Sequence, residues 1–467
     1  MLFSSLNFLV AFMPLFFLCY LSINNLTWRN TVLFVFSLVF YAWGEPLFVF
    51  LMLFSLAVNY IFGLLIANSM PNKKLAKCYL IIVTVIDLGL LGIFKYTGFI
   101  AESITSITGL TIPVPQITLP IGISFYTFQI LSYVIDVYRG ETEVQKNFVY
   151  LGTYLAAFPQ LIAGPIVRYV DVARELTSRT ITVDDMTDGI RRFIVGLGKK
   201  VLIANQAAMV ADSLFASQTA ELGVIGSWVA ALAYTIQIYY DFSGYSDMAI
   251  GMGKMMGFRY LENFNYPYSA VSVTDFWRKW HMSLSTFFRD YVYIPLGGNR
   301  VSKPRWIFNT MVVWMLTGLW HGASWNFVVW GLYYGILLLA EKLLFPQFQK
   351  KLPSLSHYMT LFITVIGWVV FRAETLTGAV AMYGSMFGSC GFAPEGIFTL
   401  LQRSGVGGSF VLAMIAGVYF SVQHRKNTKL SSKSAAVITD VLLLIVLLVC
   451  LLCLAAQSYN PFIYFRF

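Results

Sequence analysis

Residues Trp306 to Ala340 read WIFNTMVVWMLTGLWHGASWNFVVWGLYYGILLLA, 35 positions without one Asp, Glu, Lys or Arg. One helical crossing of a bilayer takes about 20 apolar residues, so this run is too long for one pass and too short for two complete ones. Basic residues stand at both ends, Lys303 and Arg305 before the run and Lys342 after it. By the positive-inside rule both ends belong on the cytoplasmic face, which makes the run a helical hairpin. Each arm has about 16 residues, or ~24 Å at ~1.5 Å per residue, against ~30 Å of hydrocarbon. The turn, at Gly322, Ala323 and Ser324, is therefore expected inside the membrane. Non-helical backbone at such depth survives only when buried in protein or lining a wet cavity. His321, beside the turn, is expected to face such a cavity.

The rest of the chain is of the same kind. Of its 467 residues, 58% are apolar and 12% charged, about half the charged share of a soluble domain. A water-soluble fold is excluded. Further apolar stretches run near Met1 to Ile23, Thr31 to Trp43, Pro46 to Ala67, Cys78 to Phe94, Leu119 to Ile135, Asn147 to Val167, Leu222 to Tyr240, Tyr358 to Phe371, Ser404 to Gln423 and Val441 to Leu454. No alternating strand pattern accompanies them, and lipid tolerates only self-satisfied backbone, so the fold class is an all-α polytopic membrane protein and not a barrel. The first 23 residues carry no charge and lack a basic n-region, and they read as the first membrane helix rather than a cleaved signal. The net charge of +10 falls in clusters. Arg29, Lys73 to Lys77, Lys350 with Lys351, and Arg425 to Lys433 mark cytoplasmic connections, which puts both termini outside; Arg139 to Glu221 mixes signs and resists this count. No repeat or linker divides the chain, which reads as a single integral-membrane domain over 1–467. The five cysteines sit mostly in apolar runs, and Cys450 and Cys453, a CxxC, read as helix packing rather than redox or metal chemistry.

One segment departs from the pattern. Asp241 to Lys303 is amphipathic and rich in Tyr, Trp, Arg and Gly, and is expected to lie in the interface or re-enter the membrane. Within it, Phe276-Trp277-Arg278-Lys279-Trp280-His281-Met282-Ser283-Leu284-Ser285 read as one helix places Trp277, His281, Leu284 and Phe288 on one face. Arg278, Ser285 and Arg289 share the adjoining face, which suits an anionic substrate; the alternative is an interfacial helix anchored by Trp and Arg. An ionisable side chain inside a membrane segment is a functional candidate by default, and histidine can act as a base near neutral pH. The plainer alternative for His321 is a buried ring satisfied by a helix carbonyl. His357 and His424, in or beside basic connections, read as solvated loop residues. Asp241 and Asp247 are expected to pair with Arg259 or Arg278. Gly251-Met252-Gly253 lacks the strand context of a phosphate loop, and no GxSxG or HExxH motif supports a hydrolase or zinc protease. Asp87, Asp136 and Asp440 are scattered acids that a proton-coupled transporter could use.

Six segments together carry a resemblance: LPIGISFYTFQ from Leu119, AGPIVRY from Ala163, YDFSGYSDMAIG from Tyr240, FWRKWHMSLSTFFRDYVYIPLGGNR from Phe276, LTGLWHGASWNFVVWG from Leu316 and FRAE from Phe371. The chain resembles the membrane-bound O-acyltransferase superfamily, and within it the branch of alginate O-acetyltransferase membrane subunits. The resemblance implies a ring of roughly 11 or more membrane helices, of the usual ~20 residues each, around a central funnel or tunnel, with re-entrant and interfacial helices. It divides the domain into peripheral helices over 1–100, a catalytic core over 119–374 and C-terminal helices over 404–467. It makes His321 and His281 the catalytic pair. With them go Arg278, Lys279, Ser283, Arg289, Arg300, Trp320 and Asn326 as substrate and donor contacts, the basic ones by their charge toward phosphates. The implied chemistry needs no permanently bound cofactor and no metal. The donor is a cytoplasmic thioester, acetyl-CoA or a carrier protein, and the acceptor is a cell-surface or exported polysaccharide reached through an extracytoplasmic SGNH-like partner. The implied location is the bacterial plasma membrane, with no role for nucleic acid. D-alanyl transfer to teichoic acid is the nearest alternative within the family.

Overall fold

The computed structural model describes residues 1–110, 112–114, 117–162, 164–422, 433–456 and 459–463. Among them every regular element is a helix and none is a strand. Six helices are long and apolar enough to cross a membrane: Phe48–Asn68, Lys73–Thr108, Val183–Ala216, Thr219–Met255, Pro353–Arg372 and Ser434–Ala456. The pair Ile397–Arg403 and Gly408–Val422, bent by 82°, would make a seventh if it is one span. Ser434–Ala456 leaves Val437, Leu442, Leu444 and Leu452 exposed, an apolar surface suited to lipid. Its Cys450 is buried and Cys453 partly so. His424 and the basic connection over 425–432 lie outside the described residues.

The chain forms two compact units, Met1–Phe193 with Ser246–Leu261, and Ile194–Tyr245 with Glu262–Phe467. In the first, Phe3, Phe8, Phe16, Phe40 and Phe158 build a ring cluster with centroids 5.0 to 6.3 Å apart. The helix Ile123–Arg139 is buried along most of its length. Asp87 is held within this unit by Asn59 Nδ2 at 2.9 Å and Ser55 Oγ at 3.4 Å. The stretch 147–167 is not one helix. Ala157 leaves the helical region, at φ −45° and ψ 110°, and Pro159 opens a second short helix, Phe158–Leu161, because Pro belongs in a first helical turn and not in a helix interior.

The second unit holds the hairpin expected from the charge-free run. Its arms are Lys303–His321 and Trp325–Leu343, and the turn falls at Gly322, Ala323 and Ser324. Each arm is 19 residues long, about 28 Å, because the helices continue into the charged ends. Arm length therefore does not by itself stop the turn short of a bilayer's far face. The arms cross backbone to backbone. A Cβ on Gly318 would stand 2.1 Å from the Phe327 carbonyl oxygen, and one on Gly331 2.2 Å from that of Trp314. Only glycine permits that approach.

Three expectations need correction. Asp241 does not begin an interfacial segment, since the helix Thr219–Met255 carries on through it. The carboxylates stay in that helix because they are neutralised: Asp241 pairs with Lys200 at 2.6 Å and Asp247 with Arg192 at 2.8 Å, not with Arg259 or Arg278. His357 is no solvated loop residue. It sits in Pro353–Arg372 with Nδ1 2.8 Å from the Ala270 carbonyl oxygen.

Candidate active site

The helix expected through His281 is broken at that residue. Val273–Lys279 ends, His281 takes a left-handed conformation at φ 45°, and Met282–Phe288 begins. The break has a partner segment: Asn265 N–H donates to the Lys279 carbonyl at 2.9 Å, and Met282 N–H donates to the Asn263 carbonyl at 3.0 Å. A positive φ on a residue with a Cβ is strained and calls for surroundings that enforce it. Here those bonds do so, and they turn the imidazole inward.

Asn263 then fixes the imidazole's tautomer. Its Oδ1 accepts from the backbone N–H of Ser283 at 3.3 Å and from Ser283 Oγ at 2.9 Å, and lies 3.1 Å from His281 Nδ1. A backbone N–H can only donate, so the amide oxygen is the atom facing this group, and Nδ1 must carry the proton. His281 Nε2 is left with a lone pair and has no hydrogen-bond partner among the described residues. Burial, with His321 nearby, holds the pKa of His281 well below the usual imidazole range, which keeps the ring neutral at pH 7.

His321 is the last residue of its helix, with a ring centroid 6.3 Å from that of His281. The C-terminal end of a helix favours positive charge, so this position suits a ring that takes up a proton. Trp330 and Phe371 pack against it at 5.1 and 5.2 Å, and Phe242 packs edge-on against His281 at 4.6 Å. A narrow gap with room for about one water molecule adjoins His321, walled by Phe242, Trp280, Trp330, Trp368, Phe371 and two aliphatic side chains, Ile238 and Ile463.

Of the other candidates, Ser283 and Trp320 belong to this cluster, Ser283 through Asn263 and Trp320 with its ring 5.8 Å from His281. Asn326 donates to the Ala373 carbonyl at 2.6 Å, a bond that ties the start of the second arm to the end of Pro353–Arg372. The basic residues lie apart from the cavity. Lys279 pairs with Asp275 at 2.9 Å, Arg289 with Asp290 at 2.6 Å, and Arg300 is exposed. Arg278 lines a separate open cleft with Lys342 and Glu341. No group of three or more His, Cys, Asp or Glu able to hold a metal occurs among the described residues.

The sequence reading missed Asn263, which sits 18 positions upstream of His281 in a loop with no periodic signal. We expect Asn263→Ala to release the imidazole and orphan Ser283. Leaving a buried polar group unpaired costs about 1–3 kcal/mol, and if this falls on the transition state, turnover drops by roughly 5- to 150-fold. Comparison of kcat per folded molecule in the variant and the parent checks this.

The membrane-bound O-acyltransferase (MBOAT) family pattern matches residues 144–378, a span that contains both histidines. The chain is 40% identical over 490 residues to the Pseudomonas putida protein named Probable alginate O-acetylase AlgI, covering 100% of each. This chain belongs to the membrane-bound O-acyltransferase family. A protein of the same name from Pseudomonas aeruginosa is 44% identical over 443 residues, covering 93% of this chain and 84% of its own. A Peptidoglycan O-acetyltransferase of Helicobacter pylori is 33% identical over 423 residues, covering 83% and 80%. The MBOAT chain is thus a multi-pass membrane acyltransferase, placed by its full-length similarity in the branch of the alginate O-acetylases.

Proposed function

We propose that this acyltransferase moves an acetyl group from a cytoplasmic thioester, acetyl-CoA, toward O-acetylation of an exported polysaccharide, with alginate as the acceptor that the names of its Pseudomonas relatives suggest. The observation that carries the reading is the pair of imidazoles 6.3 Å apart in one buried aromatic site, one of them with a fixed tautomer and an open Nε2. A thioester is already activated. The protein must add a base for the attacking hydroxyl, close positioning and donors for the developing oxyanion. In this reading His321 is the general base and His281 orients the hydroxyl through Nε2. Trp320 and Ser283 shape the site around them, and Asn326 braces the hairpin. Arg278, Lys279, Arg289 and Arg300 draw the donor's phosphates to the cytoplasmic face.

The donor and the acceptor meet here through a funnel enclosed by a ring of membrane helices in the bacterial plasma membrane. An extracytoplasmic SGNH-like partner completes the transfer. The test is incubation of the purified protein in lipid with radiolabelled acetyl-CoA. We expect CoA release that depends on the protein and rises when the acceptor system is present. Release only from a D-alanyl carrier protein would assign the chain to teichoic acid modification. Proton flux without thioester turnover would make it a transporter.

A further inference from the structure

The last described residues, Tyr459 to Ile463, do not form a membrane helix, yet they are bound into the core of the second unit. Ile463 is 3% exposed and lines the His321 cavity. Its backbone N–H donates to Asp241 Oδ2 at 2.8 Å. The Pro461 carbonyl accepts from Lys200 Nζ, and the same ammonium pairs with Asp241 Oδ1 at 2.6 Å. Asn205 Nδ2 donates to Asn460 Oδ1 at 3.2 Å, the Tyr459 hydroxyl donates to Asp212 Oδ2 at 2.6 Å, and Phe462 packs on Tyr245 with centroids 4.8 Å apart.

The Lys200–Asp241 pair is nearly inaccessible, at 3% and 2% side-chain exposure. A buried ion pair is weak as a source of stability and better explained by the single arrangement it specifies. Here its remaining valences go to the terminal segment. Lysine carries three donors, and one meets a proline carbonyl. A carboxylate accepts through both oxygens, and one takes the N–H of Ile463. Charge-assisted bonds of this kind hold backbone more firmly than neutral ones. Lys200 also lies in a π-helical turn, Lys199–Ala204, a local geometry that occurs often at functional sites.

We propose that the C-terminal segment is the end wall of the acyl site. Ile463 limits the length of acyl chain that fits beside His321, and the Lys200–Asp241 pair is the latch that positions it. This rests on the reading of the His321 cavity as the place of acyl transfer. Of the cavity's two aliphatic linings, Ile238 is carried by a long helix and Ile463 by a terminal segment whose backbone next to Ile463 is held by the latch, at the Pro461 carbonyl and the Ile463 N–H.

The test uses the full-length protein in lipid, with acetyl-, propionyl- and butyryl-CoA as donors, and with diethyl pyrocarbonate labelling of His321 read by peptide mass. One methylene in an apolar pocket is worth roughly 10–200-fold in discrimination. Ile463→Ala should therefore raise the butyryl-to-acetyl turnover ratio at least about tenfold, Ile463→Val less, and Ile463→Ala should speed His321 labelling. Lys200→Met should move the ratio the same way; a merely structural role would lower yield and leave the ratio where it was. An unchanged ratio with unchanged labelling overturns the proposal while leaving acyl transfer intact. Faster labelling of His321 in a protein that turns over no thioester upholds the wall and removes the acyl-transfer reading.

Discussion

If His321 is the general base, replacing it with Gln is expected to lower acyl transfer by about 10²–10⁴ while the protein still folds, the largest expected effect on activity. The general-base step is worth about 10²–10⁴ in rate, and His321 is the ring at the helix terminus that opens on the cavity. Glutamine is chosen over alanine because the ring is packed between Trp330 and Phe371. Truncation there would leave a cavity costing about 2–5 kcal/mol and confuse loss of chemistry with loss of fold. Gln fills much of the space and can donate a hydrogen bond, but it cannot accept a proton. Release of CoA from acetyl-CoA, measured beside a melting curve in detergent, separates the two effects. A Gln variant that melts like the parent and retains transfer would remove His321 from the chemistry and leave the Nε2 of His281 as the base.

The hairpin that places this histidine was legible because its signal is local. One run without charge, bracketed by Lys and Arg and interrupted by Gly-Ala-Ser, allows few other structures. The break at His281 was not legible. Period alone favours a continuous helix through FWRKWHMSLS, and what overrides it is backbone pairing with Asn263 and Asn265, a tertiary fact. The partners of Asp241 and Asp247 escaped for the same reason. The nearest cations in sequence are not the nearest in space, and the true ones, Lys200 and Arg192, lie on the long helical segment Val183–Ala216. A further local signal is in the sequence: Gly318 with Gly322, at the end of the first arm and its turn, and Gly331 with Gly335, on the second arm, are two GxxxG spacings. In membrane helices that spacing marks close crossing. It predicts how the arms touch, which the charge pattern cannot.

Those glycines give the second large effect, on stability. Gly331→Ala adds one methyl carbon where the Trp314 carbonyl oxygen stands 2.2 Å away, with its carbonyl carbon at 3.1 Å and the Cα of Gly318 at 3.2 Å. All three obstacles are backbone, so no rotamer change relieves the overlap, and the arms must part along their length. Separation would break the contacts across the arms, Trp314 with Tyr334 at 5.8 Å and His321 with Trp330 at 5.1 Å. Losses above about 4 kcal/mol are exceptional for one substitution and come from mechanisms of this kind. We expect Gly331→Ala to yield little monodisperse protein and no acyl transfer. Gly92→Ala is the matched control, a helical glycine whose added carbon meets nothing within 4 Å. There the usual helix preference for Ala over Gly, about 0.5–1 kcal/mol, should leave stability equal or slightly higher. Size-exclusion profiles and melting curves of the two variants provide the comparison. Equal behaviour would mean that the arms do not cross where their glycines face each other, and the placement of His321 at the end of a tight hairpin would fail with it.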